Sequence, residues 1–368
     1  MRVPHELLYN RILDVTACFH VPIKLFAIYV VATKTPKDQR YDSYFILNIM
    51  AWNLLINVLF AFVHLFPMFP AECFRLDGPV SHFIDSESFG HAMFILLFFF
   101  VINCTLALLY AFPYRYILLV HPHLAEKIKP KWVYLLCGFL QIFFCCLFLP
   151  AGLNWRISYD EYPDKTVLPD RQFLSCFYPS GQQKVLPLTG YLLFGSASLT
   201  FFLVFAFLIY WRIRANKGII HESTLRMQRR ILLNLLILTG IVLFFAGIPM
   251  LLIIFVGWFP DTRYAQSIIM ICVVVLTNHG VVYAITLLTI INSYRAAVKQ
   301  IFLRLLSAVL RRNHFFIRVN ASRGKLTVRK PAMLFCKIQM LKEKGIIIEK
   351  EKAGQVLREA RCCPDSRQ

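Results

Sequence analysis

Apolar residues recur along this chain in seven long runs, each followed by a short polar segment. A helix needs about 20 apolar residues to cross the hydrocarbon core of a bilayer, and each run is close to that length. The pattern therefore predicts an all-α integral membrane protein with a seven-transmembrane helix bundle. The predicted spans are Ile12–Thr33, Tyr44–Met68, Gly90–Phe112, Trp132–Gly152, Leu188–Trp211, Ile231–Phe255 and Gln266–Ile291.

Composition supports this interpretation. Hydrophobic residues make up 58% of the chain and charged residues 16%, whereas soluble domains average about 45–50% and about 25%. The net charge of +20 does not indicate a nucleic-acid partner, because no zinc-finger, helix-turn-helix or RNA-binding pattern accompanies the basic residues. We expect the lipid bilayer as a partner and no nucleic acid.

The distribution of basic residues predicts the orientation of the spans. Lysine and arginine concentrate in the loops after the first, third and fifth spans, and acids concentrate in the opposite loops. By the positive-inside rule, the amino terminus is extracellular and the carboxyl terminus cytoplasmic, in a multi-pass plasma-membrane protein. No cleavable signal peptide is evident, so we expect the first span to be its own insertion signal.

The chain is expected to contain four segments. Residues 1–11 form a short extracellular amino terminus, and residues 12–292 form the seven-helix domain. Residues 293–313 have apolar positions at helical spacing beside Arg and Lys, which predicts an amphipathic juxtamembrane helix on the inner leaflet. Residues 314–368 have no clear period, and we expect a basic cytoplasmic tail.

Only two of the eleven cysteines, Cys73 and Cys176, lie in the predicted outer loops, where thiols can be oxidised. A disulfide between them would join the loop before the third span to the loop between the fourth and fifth spans. Two free thiols are the alternative.

Polar residues inside the spans are costly and therefore informative. Asn53, Asn57 and His64 fall within roughly 40° of one another around the second span, so this stripe should face the bundle. The asparagines fit hydrogen bonding between helices, and His64 fits either that role or a ligand contact. Lys24 has no acid on its own face of the first span. It either snorkels, pairs with carbonyls across the bundle or lines a wet cavity.

Two further features of the spans suggest movement and contact. Gly247 and Pro249 should kink the sixth span, which would make it a switching element. Arg115, between Tyr114 and Tyr116, ends the third span. It fits a positive-inside anchor or a contact with a cytoplasmic partner, and sequence position alone leaves both open.

Motifs of enzyme chemistry are missing from the sequence. There is no GxSxG, HExxH or P-loop motif, and no pair of aspartates occurs in facing spans. We expect no enzymatic activity, no cofactor and no metal site.

Five segments carry a resemblance to a known family: HVPIKLFAIYVVATKTPKDQ, LNIMAWNLLINVLFAFVHLFPMFPAECFR, FPYRY, GIPMLL and INSYR. Together they resemble the nematode serpentine chemoreceptors of the Str superfamily, whose classes include the H and I types. The likeness runs from Val3 to about Lys299. It implies a G-protein-coupled-receptor-like fold and a receptor for odorant- or pheromone-type chemicals on sensory cilia.

The resemblance also assigns Arg115 to the place where rhodopsin-like receptors keep an Asp-Arg-Tyr motif, with Tyr114 in place of the acid. Ser293 replaces the proline of the Asn-Pro-Tyr-Arg motif that is common at the end of the seventh span. A heterotrimeric G protein and a small-molecule ligand are the implied partners. Expected G-protein contacts are Arg115, Tyr116, Arg212, Arg214, Arg229 and Arg230. Expected ligand contacts are His64, His91, Asn103, Tyr191 and His279.

The alternative function is a seven-helix ligand-gated channel or transporter without G-protein coupling. The predicted orientation and the lack of a line of acids through the spans argue against a channel. The lack of an internal repeat argues against a transporter.

Overall fold

The computed structural model describes residues 4–36, 40–84, 86–120, 130–167, 174–215 and 222–321. Seven helices in this part of the chain are long and apolar enough to cross a membrane, which confirms the seven predicted spans. The helices are α1 (Pro4–Lys34), α2 (Arg40–Val63), α3 (Glu87–Val120), α4 (Pro130–Trp155), α5 (Gln182–Ala215), α6 (Glu222–Val242, continuing after a π-helical turn as Ile248–Trp258), α7 (Ala265–Ile290) and α8 (Asn292–Ala321).

Several helices are longer than the apolar runs that predicted them. Helix α3 has 34 residues, which at 1.5 Å per residue is about 50 Å, whereas the hydrocarbon core is about 30 Å thick. The ends of α3 therefore project beyond the apolar layer. Proline also occurs inside four helices, at Pro22, Pro113, Pro150 and Pro187. Membrane helices tolerate such prolines because neighbouring groups satisfy the freed backbone carbonyls.

In the sixth span, where the sequence predicts a kink, the structure has a π-helical turn over Leu243–Gly247, and Pro249 follows two residues after its end. Proline has no backbone N–H to donate, so the regular hydrogen-bond ladder cannot continue through it. The wide turn accommodates this break without ending the helix.

A small antiparallel sheet, which we call the lid, covers one end of the bundle. Its strands are β1 (Leu65–Pro67), β2 (Cys73–Leu76), β3 (Arg156–Ile157) and β4 (Leu174–Phe177), in the order β1-β2-β4-β3. It combines the loop after α2 with the loop after α4. Cys73 lies opposite Cys176 in the register, and the two sulfurs form a disulfide bond across 103 residues of sequence.

The lid corrects one sequence expectation. The second span was predicted to continue to Met68, but α2 ends at Val63 and His64 has a φ of 41°. That left-handed conformation is unusual for a residue with a Cβ, and it turns the chain from α2 into β1. The carbonyl of His64 accepts a hydrogen bond from the backbone N–H of Asp77 at 3.0 Å. His64 is therefore part of the lid connection and not of the helical stripe with Asn53 and Asn57.

The core lies between α1, α2, α3 and α7 and beneath the lid. Val30 and Val31 of α1 and Ala284 and Leu287 of α7 are fully buried. In the most apolar 18-residue window of each helix, half of α7 is buried against protein but none of α4. Helix α4 therefore lies at the edge of the bundle, where its apolar side chains can face lipid.

The packing divides the chain into two units, Met1–Phe302 and Leu303–Gln368. Residues 293–313, for which the sequence predicts an amphipathic helix, lie within α8, which ends at Ala321. The helix thus extends into the segment that was expected to lack a period. Residues 322–368 of the predicted tail lie outside the described residues.

Replacing Cys73 by Ser should destabilise the lid. A disulfide that closes so long a loop contributes about 2–4 kcal/mol to the free energy of unfolding, mainly by restricting the unfolded chain. We expect a lower midpoint of thermal unfolding for Cys73→Ser in detergent micelles, measured by scanning fluorimetry. Cys146→Ser, which removes an exposed free thiol on α4, is the control and should not change the midpoint. Equal midpoints in both variants would contradict a stabilising role.

Candidate functional site

Six polar side chains from three helices meet near mid-length of the bundle, and we call them the polar cluster. They are His20 and Lys24 of α1, Asn53 and Asn57 of α2, and Asn278 and His279 of α7. All except Asn278 are at most 5% exposed. The pairs on α1 and α2 are each four residues apart, so each pair lies on one face of its helix.

Lys24 is the one lysine of the polar cluster, and its side chain is almost completely buried. Its ammonium donates to the side-chain oxygen of Asn53 and, at 3.3 Å, to the backbone carbonyl of the same residue. Among the described residues it makes no salt bridge with a carboxylate. Asp14 lies instead 3.6 Å from His64. Of the three roles left open by the sequence, pairing with carbonyl oxygens across the bundle is the one that the structure shows.

The hydrogen bonds of the cluster define the protons on its two imidazoles. The Asn53 amide N–H can only donate, so Nε2 of His279 accepts at 2.5 Å, and Nδ1 of that ring donates to a backbone carbonyl of α7. The Asn57 amide likewise donates to Nδ1 of His20 at 2.7 Å, and Nε2 of His20 donates to Asn278 at 2.9 Å. Each ring accepts at one nitrogen and donates at the other, which is the pattern of a neutral imidazole.

Gly280 allows this close approach of α7 to α1 and α2. A Cβ at position 280 would overlap the side-chain oxygen of Asn53 and lie 2.5 Å from the ammonium of Lys24. The absence of a side chain therefore makes room for the polar cluster. Small residues serve the same purpose wherever membrane helices pack closely.

The five predicted ligand contacts do not lie together. His279 belongs to the polar cluster. Nε2 of His91 lies 2.8 Å from the backbone carbonyl of Cys176, so this histidine holds the lid against α3. His64 is in the lid connection. Four of the five side chains are buried and that of Tyr191 is half-buried, but they meet different neighbours.

The other two candidates lie between α3, α4 and α5. The amide of Asn103 donates to the sulfur of Cys145 on α4 at 3.1 Å. The ring of Tyr191 lies 4.5 Å from that of Phe98 and stacks on that of Phe148 at 5.1 Å. Both therefore connect the core of the bundle to the peripheral helix α4.

Aromatic rings fill the space beneath the lid. The ring of Phe94 on α3 lies 5.0 Å from Phe74, 4.4 Å from Phe177 and 4.8 Å from Phe98, measured between centroids. Trp155 completes this group at 6.0 Å from Phe94. Packed aromatic side chains therefore occupy the region between α3 and the lid.

Two ionic contacts fasten the lid to the helices, and neither was predicted from the sequence. Glu72 pairs with Lys184 at the start of α5, although both side chains are buried. Arg75 binds Glu6 of α1 at 2.5 Å and Asp77 at 2.6 Å. The acids of the loops and the basic residue that opens α5 were visible in the sequence, but their partners depend on the fold of the lid.

Burial controls the protonation of two lid residues. Desolvation raises the pKa of Glu72 to about 7, although the ammonium of Lys184 acts in the opposite direction. Desolvation also lowers the pKa of His64, and the neighbouring carboxylates of Asp14 and Asp77 partly oppose this effect. Both residues are therefore less readily charged than they would be in water.

At the end of the bundle opposite the lid, α3, α5 and α6 surround a small cavity of about 80 Å³. Arg115 and Gln228 line it together with aliphatic residues of α5 and α6. Among the predicted G-protein contacts, four basic residues near this cavity are exposed: Arg212, Arg214, Arg229 and Arg230. Tyr116 is half-buried, with its ring 5.9 Å from that of Phe205 on α5.

A methyl group at position 280 should disturb the polar cluster. Gly280→Ala forces α7 away from Asn53 and Lys24, and overpacking of this kind costs about 1–3 kcal/mol. We expect a lower midpoint of thermal unfolding in detergent. Gly240→Ala on α6, where a Cβ has no neighbour within 4 Å, is the matched control. A midpoint for Gly280→Ala at or above that of Gly240→Ala would contradict the close packing described here.

Glu72 should make stability depend on pH. Its pKa rises from an ordinary value of 4.5 to about 7 on folding, so in this range the folded chain keeps a proton that the unfolded chain loses. This contribution is fully present below about pH 4.5 and is lost as the pH rises through about 7. Glu72→Gln should flatten the change of the unfolding midpoint across that window. Glu161→Gln, an exposed acid in the loop after α4, should leave the slope unchanged, and an equal slope in both variants would rule out Glu72 as its source.

A search of curated proteins finds no match to the chain. A family model described as "Serpentine type 7TM GPCR chemoreceptor Srh" matches residues 5–304, which include all seven spans and the lid. This match confirms the resemblance and selects class H from the two classes considered. The chain belongs to the Srh family of serpentine seven-transmembrane chemoreceptors.

Proposed function

We propose that this receptor binds a small environmental chemical of the odorant or pheromone type and signals through a heterotrimeric G protein. Family membership supports the coarse function, a chemoreceptor of the G-protein-coupled type. The observation that carries the finer proposal is the cavity between α3, α5 and α6, because three helices contribute to one concave surface beside exposed arginines.

The geometry of this cavity suits a signalling surface. The side-chain oxygen of Gln228 is buried and has no hydrogen-bond partner among the described residues. Arg115 shares the cavity, and its guanidinium can donate only. A bound polypeptide could satisfy Gln228 while its negative charges meet the surrounding arginines.

Helix α6 is the proposed moving part. It contributes Gln228 to the cavity, and the π-helical turn over Leu243–Gly247 and Pro249 lies farther along it. A movement at this irregular point would widen or close the cavity, as hinge motions do at the ends of regular elements. Tyr116 packs on α5, so we propose that it holds α3 in place and that Arg115 makes the contact.

We further propose that the lid is extracellular and the end with Arg115 cytoplasmic, in the plasma membrane of sensory cilia. The charges of the loops favour this orientation. The disulfide between Cys73 and Cys176 agrees with it, because such bonds persist in oxidising surroundings.

Arg115→Ala should uncouple the receptor. In membranes of cells that express the receptor with a G-protein α subunit, we expect ligand-evoked nucleotide exchange to fall on the order of tenfold, because the variant loses the contact that joins receptor and G protein. Ligands come from a panel of volatile and lipophilic chemicals, and surface expression is measured in parallel. Arg263→Ala, between α6 and α7 at the lid end, is the matched control and should keep full exchange.

Two results would overturn the proposal. One is nucleotide exchange that is equal in the unchanged receptor and Arg115→Ala. The other is a ligand-evoked current in cells that lack the G protein, which would favour the channel alternative.

A further inference from the structure

A cleft of about 1360 Å³ lies between α3, α4 and α5, within their membrane-spanning lengths. It follows one face of each helix. On α4, for example, Leu140, Phe144, Leu147 and Ala151 line it at helical spacing. The volume exceeds the roughly 300–1,000 Å³ that is typical of ligand pockets. The cleft is therefore large enough for a small ligand, and the peripheral helix α4 forms its outer wall.

We propose that this cleft binds the ligand of the receptor, and that the ligand is an uncharged lipophilic molecule with one hydrogen-bonding group that enters from the bilayer. This proposal rests on the proposed function, because only a chemoreceptor would have a signalling ligand to bind in the cleft. It differs from the sequence expectation, in which the ligand contacts were His64, His91, Asn103, Tyr191 and His279.

The lining of the cleft determines the charge of its occupant. No Asp, Glu, Lys, Arg or His is among the described residues that line it, and its walls are mostly aliphatic and aromatic, with Asn154 near the end of α4. A charged molecule would lose its hydration there without gaining an ionic partner, which is unfavourable in a medium of low dielectric constant. An uncharged molecule meets no such penalty.

Ser198 supplies a polar contact on the wall formed by α5. Ser196 and Thr200 on the same helix donate their hydroxyl hydrogens to backbone carbonyls four residues earlier, at 2.7 and 2.9 Å. The hydroxyl of Ser198, which lines the cleft, donates to no described residue. In hydrocarbon an unpaired hydroxyl is costly, and a hydroxyl or carbonyl group of a ligand can satisfy it. A phospholipid chain carries no such group at this depth.

The cleft also contacts the parts of the bundle that a ligand would have to move. Phe148 on its wall stacks on Tyr191, which in turn lies 4.5 Å from Phe98 of α3. At the other end Tyr114 lines the cleft, and it is followed directly by Arg115. A ligand in the cleft would therefore press on α3 both near the aromatic core and next to the proposed G-protein surface.

The packing around the lid and α4 favours entry of the ligand from the bilayer and not through the lid. Aromatic rings pack beneath the lid, whereas no residue in the most apolar window of α4 is buried against protein. A lipophilic molecule first partitions into the membrane and then reaches the cleft along α4.

The test is photolabelling of the full chain in lipid nanodiscs with a diazirine-bearing primary fatty alcohol. A fatty acid of the same length, which is charged at neutral pH, and a diazirine-bearing phosphatidylcholine are the comparison probes. We expect the alcohol to label residues that line the cleft, to saturate, and to be displaced by unlabelled alcohol. The alcohol should label the cleft at least about tenfold more than the fatty acid does, because the lining offers no ionic partner for a carboxylate.

Matched variants locate the site. Leu140→Trp with Leu193→Trp fills the cleft and should abolish saturable labelling. Leu135→Trp with Leu192→Trp places the same rings on positions of α4 and α5 outside the lining and should keep it. Ser198→Ala should raise the half-saturating concentration of the alcohol by about fivefold, which is the usual effect of losing one hydrogen bond. Ser196→Ala, whose hydroxyl bonds its own helix, should not.

The outcomes separate this inference from the proposed function. Labelling spread evenly over the lipid-facing helices, equal labelling by phosphatidylcholine, or labelling that survives the filled cleft would overturn the inference. Nucleotide exchange that responds to chemicals after such a result would leave the proposed function intact with a site elsewhere. Saturable labelling of the cleft together with the absence of exchange would support the site and reject G-protein coupling.

Discussion

The buried ammonium of Lys24 is the constraint on which the packing of α1, α2 and α7 depends. No water is available in the hydrocarbon layer, so oxygens of the protein must solvate it. Asn53 supplies two of them, and its amide N–H is then directed at His279. The approach leaves no room for a side chain at Gly280. One buried lysine thus constrains how closely α1, α2 and α7 pack.

The seven spans could be predicted because a bilayer imposes one length and one composition on every helix that crosses it. The lid could not. Its strands are two to four residues long, and its central pair joins loops that are 103 residues apart. Such strands have no period long enough to detect. The cysteines alone pointed to the contact between the loops, and His64 was assigned to a helix because the lid that displaces it was unknown.

The sequence likewise predicted some features of the candidate site and not others. Helical periodicity indicated that Asn53 and Asn57 face the bundle, since polar groups avoid lipid, and both are buried there. It could not indicate which residues share a depth, because depth depends on helix tilt and on the packing of neighbours. Ser198 was overlooked for a different reason. A serine in a membrane helix usually bonds its own backbone, and only the structure shows that this one does not.

The π-helical turn of α6 has a consequence for any interpretation of this helix by periodicity. A π turn accommodates one residue more than an α turn, and one residue corresponds to about 100° of rotation. The positions after Gly247 are therefore displaced by about 100° from those that an uninterrupted helix would give them. Helical wheels, mutational scans and alignments of α6 keep their meaning only when the two halves are treated as separate helices with independent phases.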